Sequence, residues 1–157
     1  MSKLCVITGV GAGNGASFSR RFTREGYQVV MLARNIAYLE TLATEIPGSV
    51  AMECDVRDPA AINSVFTRIH EEIGTVDTLV YNAGAGEWAS IMETSLDGMQ
   101  SSWATNTLGL VACAQEVIPS MTEKGEGNIM VIGATASLRG GAQSTAFASA
   151  KAAQRSV

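Results

Sequence analysis

Residues 8–15 read Thr8-Gly9-Val10-Gly11-Ala12-Gly13-Asn14-Gly15, and this stretch decides the fold. Ahead of it, Lys3-Leu4-Cys5-Val6-Ile7-Thr8 is a largely apolar run, the mark of a strand covered on both faces. Behind it, Ala16 to Glu25 reads as a helix that Gly26 ends. A glycine loop from Gly9 to Gly15 lets bare backbone approach a ligand, and the helix start adds free N–H groups and a positive dipole end. Two linked phosphates suit such a place. The plain alternative is a glycine-rich tight turn without a ligand. Strict G-x-G-x-x-G spacing does not fit: counting from Gly9 puts Asn14 in third place, and counting from Gly11 puts Ala16 there. The spacing Gly9-x-x-x-Gly13-x-Gly15 fits without substitution.

Outward from the loop, strand and helix signals alternate. Tyr27 to Ala33 reads as a second strand and Ile36 to Glu45 as a second helix, stopped by Pro47-Gly48. Ser49 to Cys54 is a shorter third strand. Asp58-Pro59 opens a third helix, with Asp as N-cap and Pro in the first turn, running to about Ile73. Val76 to Tyr81 and Ile129 to Ile132 are the fourth and fifth strands, separated by a long helix from about Leu96 to Met121. A last helix begins near Ser144. Short loops between alternating elements predict parallel strands joined by right-handed crossovers, a doubly wound α/β sheet. No repeat or linker divides residues 1–157, so one domain is expected.

Composition narrows the function. A net charge of −4 without a basic block leaves no electrostatic footprint for nucleic acid or an anionic membrane. No apolar stretch reaches membrane-spanning length. Cys5, Cys54 and Cys113 are odd in number, far apart and set in apolar runs, which predicts buried reduced thiols and no metal site. The chain enters a strand too early for a signal peptide, so a cytoplasmic protein is expected.

With the second glycine spacing, the chain resembles the short-chain dehydrogenase/reductase family, whose loop reads Thr-Gly-x-x-x-Gly-x-Gly. Further landmarks are Asp55 after the third strand, Asn82-Ala83-Gly84 after the fourth, Asn106 in the long helix and Lys151 in the last. One departure is Asn14, where the family usually places an apolar residue. The resemblance spans essentially the whole chain. It implies a Rossmann-type sheet, here of about five strands and lacking the family's last two, that holds a nicotinamide dinucleotide. The implied cofactor residues are Gly9, Gly11, Gly13, Asn14, Gly15, Arg34, Asp55, Val56, Asn82, Ala83, Gly84 and Lys151. Asp55 would contact the adenine amino group, or merely cap a turn; Asn82 would brace the strand end, or only a loop.

The end of the second strand bears on which dinucleotide. An acidic side chain there holds a free ribose 2′-hydroxyl. This chain has Ala33 followed by Arg34. A guanidinium can pair bidentately with a 2′-phosphate, so NADP is favoured over NAD. A solvated loop cation is the alternative for Arg34.

At the chemical end, the resemblance implies a Tyr as acid/base, a Lys four residues later that lowers its pKa and holds the nicotinamide ribose, a Ser on the substrate oxygen, and an Asn that anchors a water. The segment here is Phe147-Ala148-Ser149-Ala150-Lys151, so the lysine is present and the phenol is not. Gly133-Ala134 stands where the family has Ser-Ser. Asn106 and Lys151 remain as catalytic candidates, with Thr135, Ser137 and Ser144 as weaker hydrogen-bond donors to a carbonyl. Losing a positioned general acid costs roughly 100- to 10,000-fold in rate, so cofactor binding is expected to survive better than carbonyl reduction.

The chain ends six residues beyond Lys151. A natural short form and a fragment both fit, and in either case an incomplete substrate pocket, an unblunted edge at the fifth strand and homo-oligomeric association are expected. Two functions are then carried forward. One is an NADP-dependent oxidoreductase acting on a small carbonyl or alcohol. The other is a non-catalytic dinucleotide-binding or partner-binding protein on the same fold. A methyltransferase using S-adenosylmethionine also has a glycine loop after its first strand, but it explains neither Asn82-Ala83-Gly84 nor Phe147-x-x-x-Lys151. Trp88 and Trp103 are expected to pack near the substrate-side loop and the long helix, His70 to be solvated, and the seven Met to fill the core.

Overall fold

A computed structural model describes residues 2–157. Its elements are β1 (Leu4–Thr8), α1 (Asn14–Arg24), β2 (Gln28–Ala33), α2 (Ile36–Glu45), β3 (Ser49–Glu53), α3 (Pro59–Glu72), β4 (Thr78–Tyr81), α4 (Leu96–Trp103), α5 (Gly109–Lys124), β5 (Asn128–Val131) and α6 (Thr145–Ser156). The five strands form one parallel sheet in the order β3-β2-β1-β4-β5. This is the doubly wound Rossmann-type arrangement that the alternation predicts.

Period-two burial explains why the strands read as unbroken apolar runs. Leu4 and Val6 of β1 pack on one face of the sheet with Phe66, Ile69, Cys113 and Val117 of α3 and α5. Cys5 and Ile7 pack on the other face with Ala16, Leu39 and Leu42 of α1 and α2. Both faces are covered, so no position of β1 can be polar without a partner. Thr8 at its end is buried and its hydroxyl accepts from the Ala83 N–H at 3.4 Å. Burial pushes the Cys5 thiol up to about 12, and burial followed by the charge of Asp55 pushes Cys54 up to about 11. All three cysteines are free and buried, as expected.

The order of pairing fixes where a ligand can sit. Chain progression runs outward from β1 through β2 to β3, then reverses to β4 on the other side of β1. Loops leaving the C-terminal ends of β1 and β4 part at this reversal and leave a crevice. Gly9 and Asn82 are the first residues past those ends.

Several boundaries differ from the sequence reading. Helix α1 begins at Asn14, two residues before Ala16, because the last loop residues already take the helical path. Strand β4 begins at Thr78 rather than Val76. The predicted single helix from Leu96 to Met121 is interrupted by a π turn over Ala104–Leu108 and continues to Lys124, where Gly125 ends it at φ +72°. Met31, Met52 and Met121 are core filler, but Met92 is 89% exposed, which corrects the reading of all methionines as core. Strand β5 lies at the sheet edge with Ile129, Met130 and Val131 exposed.

Candidate functional site

The glycine loop divides into two kinds of glycine. Gly9 has φ +66°, and a Cβ there would fall 2.4 Å from the Ala83 Cα. A Cβ on Gly15 would fall 2.6 Å from the Val10 Cα. Both serve the fold by letting backbone meet backbone. Gly11 and Gly13 have nothing within 4 Å of a built Cβ, so their bareness serves no internal packing. Gly13 is the N-cap of α1 and supplies no side-chain cap, and in the first turn the Ala16 N–H donates to the Gly11 carbonyl at 3.0 Å. The Asn82 Nδ2 donates to the Gly9 carbonyl at 2.8 Å and ties the loop to the end of β4. Asn82 is therefore a brace.

Beside this loop lies a cavity of about 810 Å³, within the range of small-molecule clefts. Of the expected cofactor residues, Gly9, Gly11, Arg34, Asp55, Val56, Asn82, Ala83 and Gly84 line it. Gly13, Asn14, Gly15, Asn106 and Lys151 lie outside its lining. Asn14 is exposed at the start of α1, and Gly15 is packed under the loop. At the far end Arg34 follows the last residue of β2, as the placement of Ala33 predicts.

The sequence reading missed Arg57. Its guanidinium grips both oxygens of Asp55, at 3.0 Å from Nε and 2.6 Å from Nη2. The Arg57 N–H also donates to Asp55 at 3.0 Å, so the carboxylate does cap the turn before α3. The hydrogen bond from Arg57 is the main reason that the Asp55 carboxyl sits below the usual carboxylate range, with a smaller contribution from the charge of Arg34. The signal was the Asp55-x-Arg57 spacing, which places a cation over a carboxylate across an Asx turn.

The other end of the site is built on the π turn. Asn106 is fully buried there. Its Nδ2 donates to the carbonyls of Ala85 at 2.6 Å and Ser102 at 2.7 Å, while its Oδ1 has no partner. The Tyr81 hydroxyl donates to the Thr105 carbonyl at 2.5 Å and helps hold the widened turn on β4. Lys151 is 5% exposed and donates to the Ile132 carbonyl at 2.8 Å. Burial lowers the pKa of its ammonium. Gly84 joins this end to the cavity: a point where its Cβ would lie is 3.4 Å from Asn106 Oδ1 and 3.5 Å from Lys151 Nζ. An unsatisfied buried acceptor and an ammonium, both next to Gly84 of the cavity lining, fit a polar ligand group rather than apolar packing.

Phe147 sits one turn before Lys151 on α6, with its ring centroid 6.0 Å from Nζ. Trp88, in the loop after β4, lies against it with ring centroids 5.0 Å apart and is 68% exposed, so only part of its ring is packed. Trp103 is 46% exposed on α4. Thr135 and Ser137 lie in a 3₁₀ turn after β5, with Thr135 exposed and Ser137 half-buried. Ser144 is committed to its own loop: its Oγ accepts from the Gly141 N–H at 2.8 Å and donates to the Gly141 carbonyl at 3.1 Å. It is not free to serve a carbonyl.

The short chain dehydrogenase family model matches residues 3–157. Carbonyl reductase family member 4 of Xenopus laevis is 26% identical over 151 residues, which cover 96% of this chain and 64% of that protein. The NADP-dependent 3-hydroxy acid dehydrogenase YdfG of Shigella flexneri is 33% identical over 135 residues, 85% of this chain and 54% of that protein. Among solved structures, an alcohol dehydrogenase from the archaeon Thermococcus sibiricus, complexed with 5-hydroxy-NADP, superposes with a TM-score of 0.94 at 27% identity. It is covered over 68% of its length by 99% of this chain. An actinorhodin polyketide ketoreductase with NADPH gives a TM-score of 0.92 at 27% identity, over 97% of this chain and 60% of its own. The chain thus spans less than two thirds of the curated relatives named here. On the matched model, the glycine loop and the fold of its neighbours, the chain belongs to the short-chain dehydrogenase/reductase family.

Proposed function

We propose that the chain holds NADP(H) along the crevice between β1 and β4 and serves reduction or oxidation of a small carbonyl or alcohol. The observation that carries this reading is the pairing of uncovered Gly11 and Gly13 at one place with Arg34, and no acid at Ala33, at another. The glycine amides and the start of α1 would take the pyrophosphate. Arg34 would pair with the 2′-phosphate. Arg57 supports the same choice, because it neutralises the carboxylate of Asp55 that would otherwise repel that phosphate. Asp55 and Val56 would border the adenine, with Asn82, Ala83 and Gly84 under the cofactor's middle. When bound, the nicotinamide supplies hydride transfer.

Lys151 would hold the nicotinamide ribose through the proton its other contacts leave over. Asn106 would keep the lysine end of the cleft in shape through Ala85 and Ser102. Phe147 has no proton to give, and Thr135 and Ser137 are too weakly acidic to replace a phenol. The expected turnover is therefore slow. A non-catalytic, dinucleotide-binding role is the second reading, favoured by Phe147 together with the engaged Ser144 hydroxyl. NADP-linked relatives acting on 3-hydroxy acids and structures holding NADPH or 5-hydroxy-NADP support the cofactor choice. We further place the protein in the cytoplasm and expect a homo-oligomer, given exposed Trp103, Leu108 and Ile118 on α4, the π turn and α5.

Thermal unfolding with NADPH or NADH, followed by NADPH consumption over a panel of small ketones and aldehydes, tests this reading. Selective stabilisation by NADPH with slow consumption supports it. Selective stabilisation without any consumption supports the second reading, and no stabilisation by either dinucleotide removes both.

A further inference from the structure

We propose that Gln154 is a positioning residue that fastens the Lys151 ammonium to the opened helix at Asn106. Gln154 is 3% exposed, on the same buried face of α6 as Ala146, Ala150 and Lys151. Its Oε1 accepts from Lys151 Nζ at 2.9 Å. Its Nε2 donates to the Asn106 main-chain carbonyl at 2.8 Å. Both ends of the amide are satisfied, and only this orientation works, since the flipped amide would put a donor against the ammonium.

An apolar side chain would fill this face of a helix without needing partners, whereas a buried amide is costly unless paired at both ends. The carbonyl it reaches belongs to the π turn over Ala104–Leu108, where the ordinary helical ladder is broken. No carboxylate pairs with Lys151 among the described residues, so neutral acceptors alone hold its charge. Ile132 and Gln154 take two of its three protons. The third remains for the space above Gly84, where the unpartnered Asn106 Oδ1 also lies. Gln154 thus seals the rear of the ammonium from solvent and fixes the direction of the remaining proton. This role rests on the assignment of Lys151 to the dinucleotide.

The test is nuclear magnetic resonance of the full chain carrying ¹⁵N-labelled lysine, first without cofactor. One ammonium signal protected from exchange with water is expected near neutral pH, and it should vanish in Lys151→Arg. In Gln154→Leu, which removes both hydrogen bonds, the signal should be lost and NADPH affinity should fall about tenfold. Gln154→Glu keeps an acceptor for the ammonium. It should retain the signal and move its titration to higher pH. If Gln154→Leu does not fold, Gln154→Met and Gln154→Glu decide by the same readouts. A wild type without a protected signal, or apolar variants with unchanged exchange and titration, would overturn the proposal. If the signal responds as expected but NADPH does not bind, the strap stands and the cofactor reading fails.

Discussion

The Lys151 ammonium faces the Phe147 ring across one turn of α6, with Nζ 6.0 Å from the ring centroid. The lysine is therefore in place to lower the pKa of a phenol that the sequence does not supply. Phe147→Tyr should introduce an acidic hydroxyl at this site and raise carbonyl-dependent NADPH oxidation by roughly 100-fold or more, the scale of a positioned acid. Absorbance titration of the new phenolate should show a pKa below about 10, the ordinary value. Unchanged turnover with a lowered phenol pKa would favour the non-catalytic reading.

The two classes of loop glycine predict opposite phenotypes. Gly9→Ala places a Cβ 2.4 Å from the Ala83 Cα at a positive φ, and should cost about 1–3 kcal/mol of stability. Gly11→Ala meets nothing within 4 Å, so its melting temperature should match wild type. Its NADPH affinity should fall at least tenfold, because the methyl stands where phosphate would approach the backbone. Denaturation curves beside cofactor titrations separate the two effects.

Asp77 predicts part of the acid sensitivity. Burial raises its pKa, but the hydrogen bonds from the Lys124 ammonium and from the Leu4 N–H at 2.7 Å outweigh it and leave the carboxyl below its usual value. A carboxyl depressed in the folded state contributes stability above its unfolded pKa, and this is lost as pH falls through the folded value. Stability should therefore decline below about pH 4. Asp77→Asn should remove about 1 kcal/mol at neutral pH and flatten that decline, as read from urea midpoints against pH. A decline of unchanged steepness would assign the acid sensitivity to other carboxylates.

The sheet was legible because its central strand β1 is covered on both faces, so that Cys5, Val6 and Ile7 read as one apolar run beside the glycine loop. The i, i+4 spacing of Phe147 and Lys151 likewise survives as a shared helix face. The π turn was not legible: nothing in the periodicity of Ala104 to Leu108 sets it apart from the flanking helix, and its carbonyls are held by distant residues, Tyr81 on Thr105 and Gln154 on Asn106. Arg57 on Asp55 was readable only as a turn signal, because the pair lies across an Asx turn outside the strand and helix patterns that guided the reading. Asn82 follows the fourth strand as read, but its partner, the Gly9 carbonyl, is 73 residues away and visible only in three dimensions.

Fluorescence titration with NADPH and NADH, on wild type and on Arg34→Ala, tests the central claim most directly. Wild type should prefer NADPH, and Arg34→Ala should weaken NADPH about tenfold or more while leaving NADH unchanged, the loss expected for a charged hydrogen-bonded pair. Equal affinities on wild type that the substitution does not alter would contradict the assignment of Arg34 to the 2′-phosphate.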